Sequence, residues 1–216
     1  MIYPVHFSEL SFGTDVFSDL SGRVPAGLSA LVGANGVGKS VLLKLLAGIL
    51  PPARGQVVWH QPFLYVDQFA AASADRVVDA LGVADLFDAF QRIEQGCPQD
   101  DDLEKVADHW ELPGLWQQQL MAAGLPTDLT RKIATLSGGQ QTRLVLLAAF
   151  CQPNCYLLLD EPGNHLDRQG RQWLAQQLGP GAAWLQLPST VTEEPPTDTL
   201  PGLYDHLIDR LLAAAR

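Results

Sequence analysis

Gly33-Ala34-Asn35-Gly36-Val37-Gly38-Lys39-Ser40, GANGVGKS, sets three glycines around one lysine, between the apolar stretches LSALV and VLLKLLAGIL. The flanks read as a β-strand entering a tight loop and a helix leaving it, the helix running to about Ile49 before Pro51 and Pro52 stop it. In that context the pattern G-x-x-x-x-G-K-[ST] has a mechanism. Glycines remove the Cβ atoms that would keep backbone N–H groups from wrapping around a phosphate chain. The helix directs the positive end of its dipole at the same anion. Lys39 is placed to reach β- and γ-phosphates, and the Ser40 hydroxyl to join the coordination shell of Mg²⁺.

Two further stretches suit the same chemistry. CYLLLDEP is an apolar run that ends in two carboxylates, and such a run reads as a central parallel strand buried on both faces. Asp160 at its tip is suited to hold magnesium through water, and Glu161 to orient or activate the water that attacks a γ-phosphate. LSGGQ, Leu136 to Gln140, stands directly before TRLVLLAAF. Ser137 can cap that helix, Gly138 and Gly139 permit close backbone approach, and the exposed N–H groups form a second anion site at a helix start. Taken alone, SGGQ also fits an ordinary helix cap.

Composition bounds the rest. A chain of 216 residues with 47% hydrophobic content buries a substantial core, as one domain with room for a subdomain. With 24 Asp+Glu against 14 Lys+Arg and a formal net charge of -10, composition points away from a broad nucleic-acid-binding face. MIYPVHFSEL lacks the features of a signal peptide and no apolar run reaches membrane-spanning length, so a soluble, cytoplasmic chain is expected. Cys97, Cys151 and Cys155 are an odd number without metal-site companions and read as reduced thiols.

The pattern along the chain predicts an α/β core over residues 1–69 and 150–187, and a helical subdomain over 70–149 carrying RVVDALGVADLFDAFQRI, DDLEKVADHW and LPGLWQQQLMAAGL. Asp100-Asp101-Asp102 reads as a solvated helix start. RQGRQWLAQQL is a further helix and AAWLQL a possible strand. Residues 188–216 read as an irregular tail, STVTEEPPTDTLPG, and a short helix around YDHLIDRLLAAA.

Together these pieces resemble the nucleotide-binding domain of the ATP-binding cassette (ABC) superfamily, over about residues 1 to 180. GANGVGKS corresponds to its Walker A loop, with Gly33, Asn35, Gly36, Gly38, Lys39 and Ser40. Gln68 corresponds to its Q-loop glutamine, LSGGQ with Ser137, Gly138, Gly139 and Gln140 to its signature, LLLDEP to Walker B, and GNHLD to the D-loop ending in Asp167. Phe12 is placed like the aromatic residue that stacks on adenine. The resemblance implies a P-loop NTPase core, a mostly parallel sheet with flanking helices and an antiparallel β edge, with an inserted helical subdomain. It implies ATP and Mg²⁺ as ligands, Ser40, Gln68 and Asp160 serving the metal, and Glu161 as the catalytic carboxylate. It also implies a partner, a second cassette whose signature closes over the ATP. NHLD, with the tryptophan and leucine of the following helix, resembles the soluble ABC-F branch, which acts on ribosomes. Transporter cassettes, which dock on a membrane permease, commonly read SALD instead.

The match has gaps. Val41 stands for a usual Thr and Gly163 for a usual Thr or Ser, both tolerable. The family places a histidine that contacts the γ-phosphate after the strand following Walker B. Here AWLQL leads to Pro188-Ser189-Thr190-Val191, and His206 is too far along to serve. Binding of ATP is expected to survive and hydrolysis to weaken, which leaves three readings open: an ABC-F-like ATPase, the ATP-binding subunit of a transporter, and a non-hydrolysing ATP-dependent interaction module.

Overall fold

The computed structural model describes residues 3–13, 16–67, 74–107, 109–152, 154–178 and 182–186, the last five by backbone alone. β1 (Val5–Phe12) alternates as a half-buried strand should. Val5 and Phe7 are buried, and a register shift after Phe7, where Glu9 takes a φ of 53°, returns Leu10 to the core side. β1 pairs antiparallel with β2 (Phe17–Val24) and with β4 (Arg54–Trp59), in the order β2-β1-β4. This is the antiparallel edge that the family resemblance implies.

Among the described residues the parallel part consists of two pairs. β3 (Leu28–Val32) runs beside β7 (Ala182–Gln186), and β5 (Phe63–Val66) beside β6 (Tyr156–Leu159). The reading of LLLD as a strand buried on both faces is only partly met. Among the described residues β6 pairs with β5 alone, and of its four side chains only Leu158 is buried.

Helix α1 (Lys39–Leu46) buries Leu42, Leu45 and Leu46, the i, i+3, i+4 spacing of an amphipathic face. They pack with Val5, Phe7, Leu10, Phe17, Val24 and Leu158. The helix ends ahead of the expected Ile49 because Gly48 turns left-handed at φ 69°, and the Ile49 and Leu50 amides both donate back to the Lys44 carbonyl, at 2.9 and 3.2 Å.

Two compact units divide the chain. The elements above lie in the first, which among the described residues draws on the stretches up to 67, 154–162 and 176–186; the second draws on those within 74–152 and 163–175. The second holds α2 (Val77–Ala80), α3 (Ala84–Glu94), α4 (Asp102–Val106), α5 (Leu112–Ala122), a 3₁₀ turn at Ile133–Thr135, α6 (Gly138–Phe150) and most of α7 (Arg168–Leu178). Ala89, Phe90 and Val106 form a small core with Leu86, Ile93 and Trp116.

One expectation for this unit is corrected. α4 does start at Asp102, but that residue is fully buried, not solvated. Arg92 of α3 donates to both its carboxylate oxygens, at 2.8 and 2.6 Å, and the Gln99 amide adds a third bond at 2.8 Å. The Arg92 guanidinium holds the Asp102 carboxyl below the ordinary carboxylate range, at about 2. Burying a carboxylate is tolerable here because a bidentate partner and a backbone donor replace its water. The irregular tail and terminal helix lie outside the described residues. Among those described, no helix is long and apolar enough to cross a membrane.

Candidate functional site

The loop from Gly33 to Gly38 leaves β3 and delivers the chain into α1. Gly38, the N-cap of α1, sits at φ 101°, and a Cβ there would stand 2.8 Å from Phe17 Cζ and 2.9 Å from Val16 Cγ1. Only glycine fits, both for handedness and for space. Gly38 offers no side chain to cap α1, so the first-turn N–H groups remain for an anion. Asn35 and Gly36 are exposed on the rim. The Lys39 ammonium lies back across the loop and donates to the Gly33 and Ala34 carbonyls, each at 2.8 Å. Two of its three N–H groups thus brace the turn, which leaves one for a phosphate oxygen.

The Ser40 hydroxyl donates to Asp160 Oδ1 at 2.8 Å, joining residues that stand 120 positions apart. Asp160 follows β6 and is buried. A donating hydroxyl keeps its lone pairs, so Ser40 and the carboxylate together present the hard oxygen ligands that Mg²⁺ takes. Around them stand residues that the motifs do not single out. The Tyr65 hydroxyl lies 3.1 Å from Asp160 Oδ2 and 3.3 Å from Asp67 Oδ2, and Lys44 Nζ lies 3.5 Å from the same Asp67 oxygen. Burial, reinforced by the Asp160 carboxylate, pushes the Tyr65 phenol well above its ordinary 10, so it stays a proton donor. Glu161, next to Asp160, is exposed and adopts a φ of 46°, a left-handed conformation that costs a non-glycine residue energy and that clusters at functional sites.

Phe12 ends β1, cross-paired with Phe17, and is half-buried against the core. Gln68 lies outside the described residues, as does the segment after β7 where the histidine is missing.

In the second unit Ser137 caps α6 as its sequence predicts. Its hydroxyl accepts from the Gln140 amide at 3.3 Å, and the Gln140 side chain accepts from the Ser137 amide at 3.0 Å. Gly138 and Gly139 form the first turn, and a Cβ on Gly139 would approach the His165 carbonyl to 3.0 Å. The signature turn and the NHLD loop therefore meet within one unit. Asp167 caps α7 by accepting from the Gly170 amide at 2.7 Å, and Arg143 Nη2 stands 3.7 Å from its other oxygen. Arg143 is buried and also donates to the Ala123 carbonyl at 3.0 Å. Sequence reasoning missed Tyr65, Asp67, Lys44 and Arg143, whose partners are distant in the chain.

A glycine-rich loop suited to phosphate, a Ser–Asp pair suited to a divalent cation and a capped SGGQ turn are the parts expected of a nucleotide cassette. The sequence model of the ABC transporter family matches residues 17–164. The chain belongs to this family. Its members are ATPases that bind ATP with Mg²⁺. Relatives of this cassette include ABC-F proteins. It is 34% identical to ATP-binding cassette sub-family F member 3 of Mus musculus, over 80% of the chain and 21% of the relative. It is 28% identical to the energy-dependent translational throttle protein EttA of Mycobacterium tuberculosis, over 73% of the chain and 32% of the relative. The chain thus spans about a third or less of the length of these curated relatives. Among solved structures, the ATP binding subunit of an ABC transporter superposes with a TM-score of 0.61 at 17% identity, covering 98% of this chain and 99% of that one. At that identity the likeness concerns the fold.

Proposed function

We propose that this cassette binds Mg-ATP at the Gly33–Ser40 loop, pairs with a second cassette around the nucleotide, and works as an ABC-F-like protein in translation. The single observation that carries the nucleotide site is the 2.8 Å bond from Ser40 to Asp160, which joins the phosphate loop to the carboxylate end of β6 inside one unit. Magnesium, when bound, supplies charge neutralisation for the β- and γ-phosphates. The loop amides and Lys39 would hold the phosphates, Ser40 and Asp160 would serve the metal together with Gln68, which the family resemblance adds, and Glu161 would orient the attacking water. Ser137, Gly138, Gly139 and Gln140 form the surface that closes over the partner's nucleotide, with Asp167 at the same junction.

The NHLD loop and the sub-family F relatives support the ABC-F reading over a transporter subunit. Absence of the histidine after β7 removes one donor from the γ-phosphate, and loss of such a donor costs about 10²–10³ in rate. The cassette is therefore a slow ATPase whose bound state outlasts its turnover. ATP turnover beside a Glu161→Gln control tests this: a low parental rate, reduced further by the substitution, agrees with it, and family-typical turnover contradicts it. Sedimentation of the Mg-ATP-loaded Glu161→Gln variant with ribosomes supports the translation reading, whereas recovery with a membrane permease replaces it with the transporter reading.

A further inference from the structure

We propose that Tyr65 is a positioning residue for the metal carboxylate: its hydroxyl holds Asp160 in the orientation that lets Asp160 and Ser40 serve one Mg²⁺. This rests on the Mg-ATP reading of the loop.

Strand register creates the need. β5 and β6 run parallel with Tyr65 opposite Leu158 and Val66 opposite Leu159, and the Asp160 amide donates to the Val66 carbonyl at 3.0 Å. Asp67 directly follows β5 and Asp160 directly follows β6, so two acids stand at the ends of the paired strands. Two carboxylates close together at the ends of neighbouring strands repel. Tyr65 lies within β5 and Asp67 just beyond its end. Their placement brings the phenol between the two acids, 3.1 Å from Asp160 Oδ2 and 3.3 Å from Asp67 Oδ2. Its single proton serves one carboxylate at a time, and the shorter approach is to Asp160. Lys44 Nζ, 3.5 Å from Asp67, offsets the second charge from α1.

Asp160 is thereby held at both oxygens. Ser40 donates to Oδ1 and Tyr65 to Oδ2, so the plane of the carboxylate is set before any cation arrives. Without the phenol proton, Oδ2 loses the donor that fixes it and the carboxylate is held by Ser40 at Oδ1 alone. The aromatic ring packs with the core of the first unit, and phenylalanine can keep that packing. The hydroxyl and the ring therefore have separable roles.

The test is a Mg²⁺ titration of the binding of a fluorescent ATP analogue to the purified chain. For Tyr65→Phe the half-saturating Mg²⁺ concentration rises about tenfold, the lower end of what loss of a hydrogen bond to a charged group produces. Binding of the analogue in EDTA stays at the parental value, while the unfolding midpoint falls by the loss of one hydrogen bond to buried Asp160. Adding Asp67→Asn to Tyr65→Phe removes the neighbouring charge and supplies an amide donor, and it returns the half-saturation point towards that of the parent. An unchanged half-saturation point in Tyr65→Phe overturns the proposal, and so does an equal loss of binding with and without Mg²⁺, which marks a packing role. Should Tyr65→Phe fail to fold, the double variant decides: without recovery of folding or of Mg²⁺ response, the phenol is a structural group. A parental chain whose analogue binding ignores Mg²⁺ refutes the Mg-ATP reading itself, a result distinct from all of these.

Discussion

At the scale of single residues, the account turns on positions where only one side chain fits. Gly38 is one, since a Cβ there meets Phe17 and Val16 at a φ of 101°. Gly38→Ala is expected to cost about 1–2 kcal/mol for the left-handed backbone and about 1–3 kcal/mol more for overpacking. Urea unfolding measures that loss, and analogue binding should fall with it because the loop moves. GANGVGKS could be read from the chain alone because backbone geometry and phosphate chemistry are both local to it. Tyr65 could not. FLYVDQ reads as a strand, but that the Tyr65 hydroxyl lies near a carboxylate 95 positions away depends on the β5–β6 register, which no local pattern encodes.

Among elements, the helices show where legibility ends. RQGRQWLAQQL matches α7 residue for residue, and Ser137-x-x-Gln140 marks the start of α6, because a capping box is written in four consecutive positions. Ser137→Ala is expected to destabilise α6 by about 1 kcal/mol, seen as a lower unfolding midpoint. The acidic run at Asp100 misleads because charge alone signals solvent, whereas Arg92 reaches Asp102 from the previous helix. That pair predicts an acid response. Its carboxyl is held at about 2, below the ordinary 3.8, so its contribution is full above pH 4 or so and is lost as pH falls towards 2. Helical circular dichroism followed from pH 5 to 2 should show this loss, and Asp102→Asn, destabilised throughout, should show a flatter profile.

For the whole molecule, the two turns proposed to bind anions lie in different units, the Gly33 loop in one and the Ser137 turn in the other. In the proposed pair each turn completes a site with its partner's counterpart, so the assembly should depend on nucleotide. Light scattering of Glu161→Gln is expected to read a doubled mass with Mg-ATP and a single mass with Mg-ADP. A mass that ignores nucleotide removes the pairing step from the account. The α/β class and the helical insertion were legible from hydrophobic period, and the antiparallel edge was implied by the family resemblance. The separation of the parallel strands into two pairs was not, since pairing partners are set by long-range packing.

The central claim is that the loop before α1 clasps a triphosphate through its amides and Lys39. Equilibrium binding of Mg-ATP to the parent chain and to Lys39→Ala, with circular dichroism confirming equal folding, tests it most directly. The account predicts affinity lowered at least about tenfold in the variant, the scale of one lost hydrogen bond to a charged group. Equal affinity in the two proteins would contradict it.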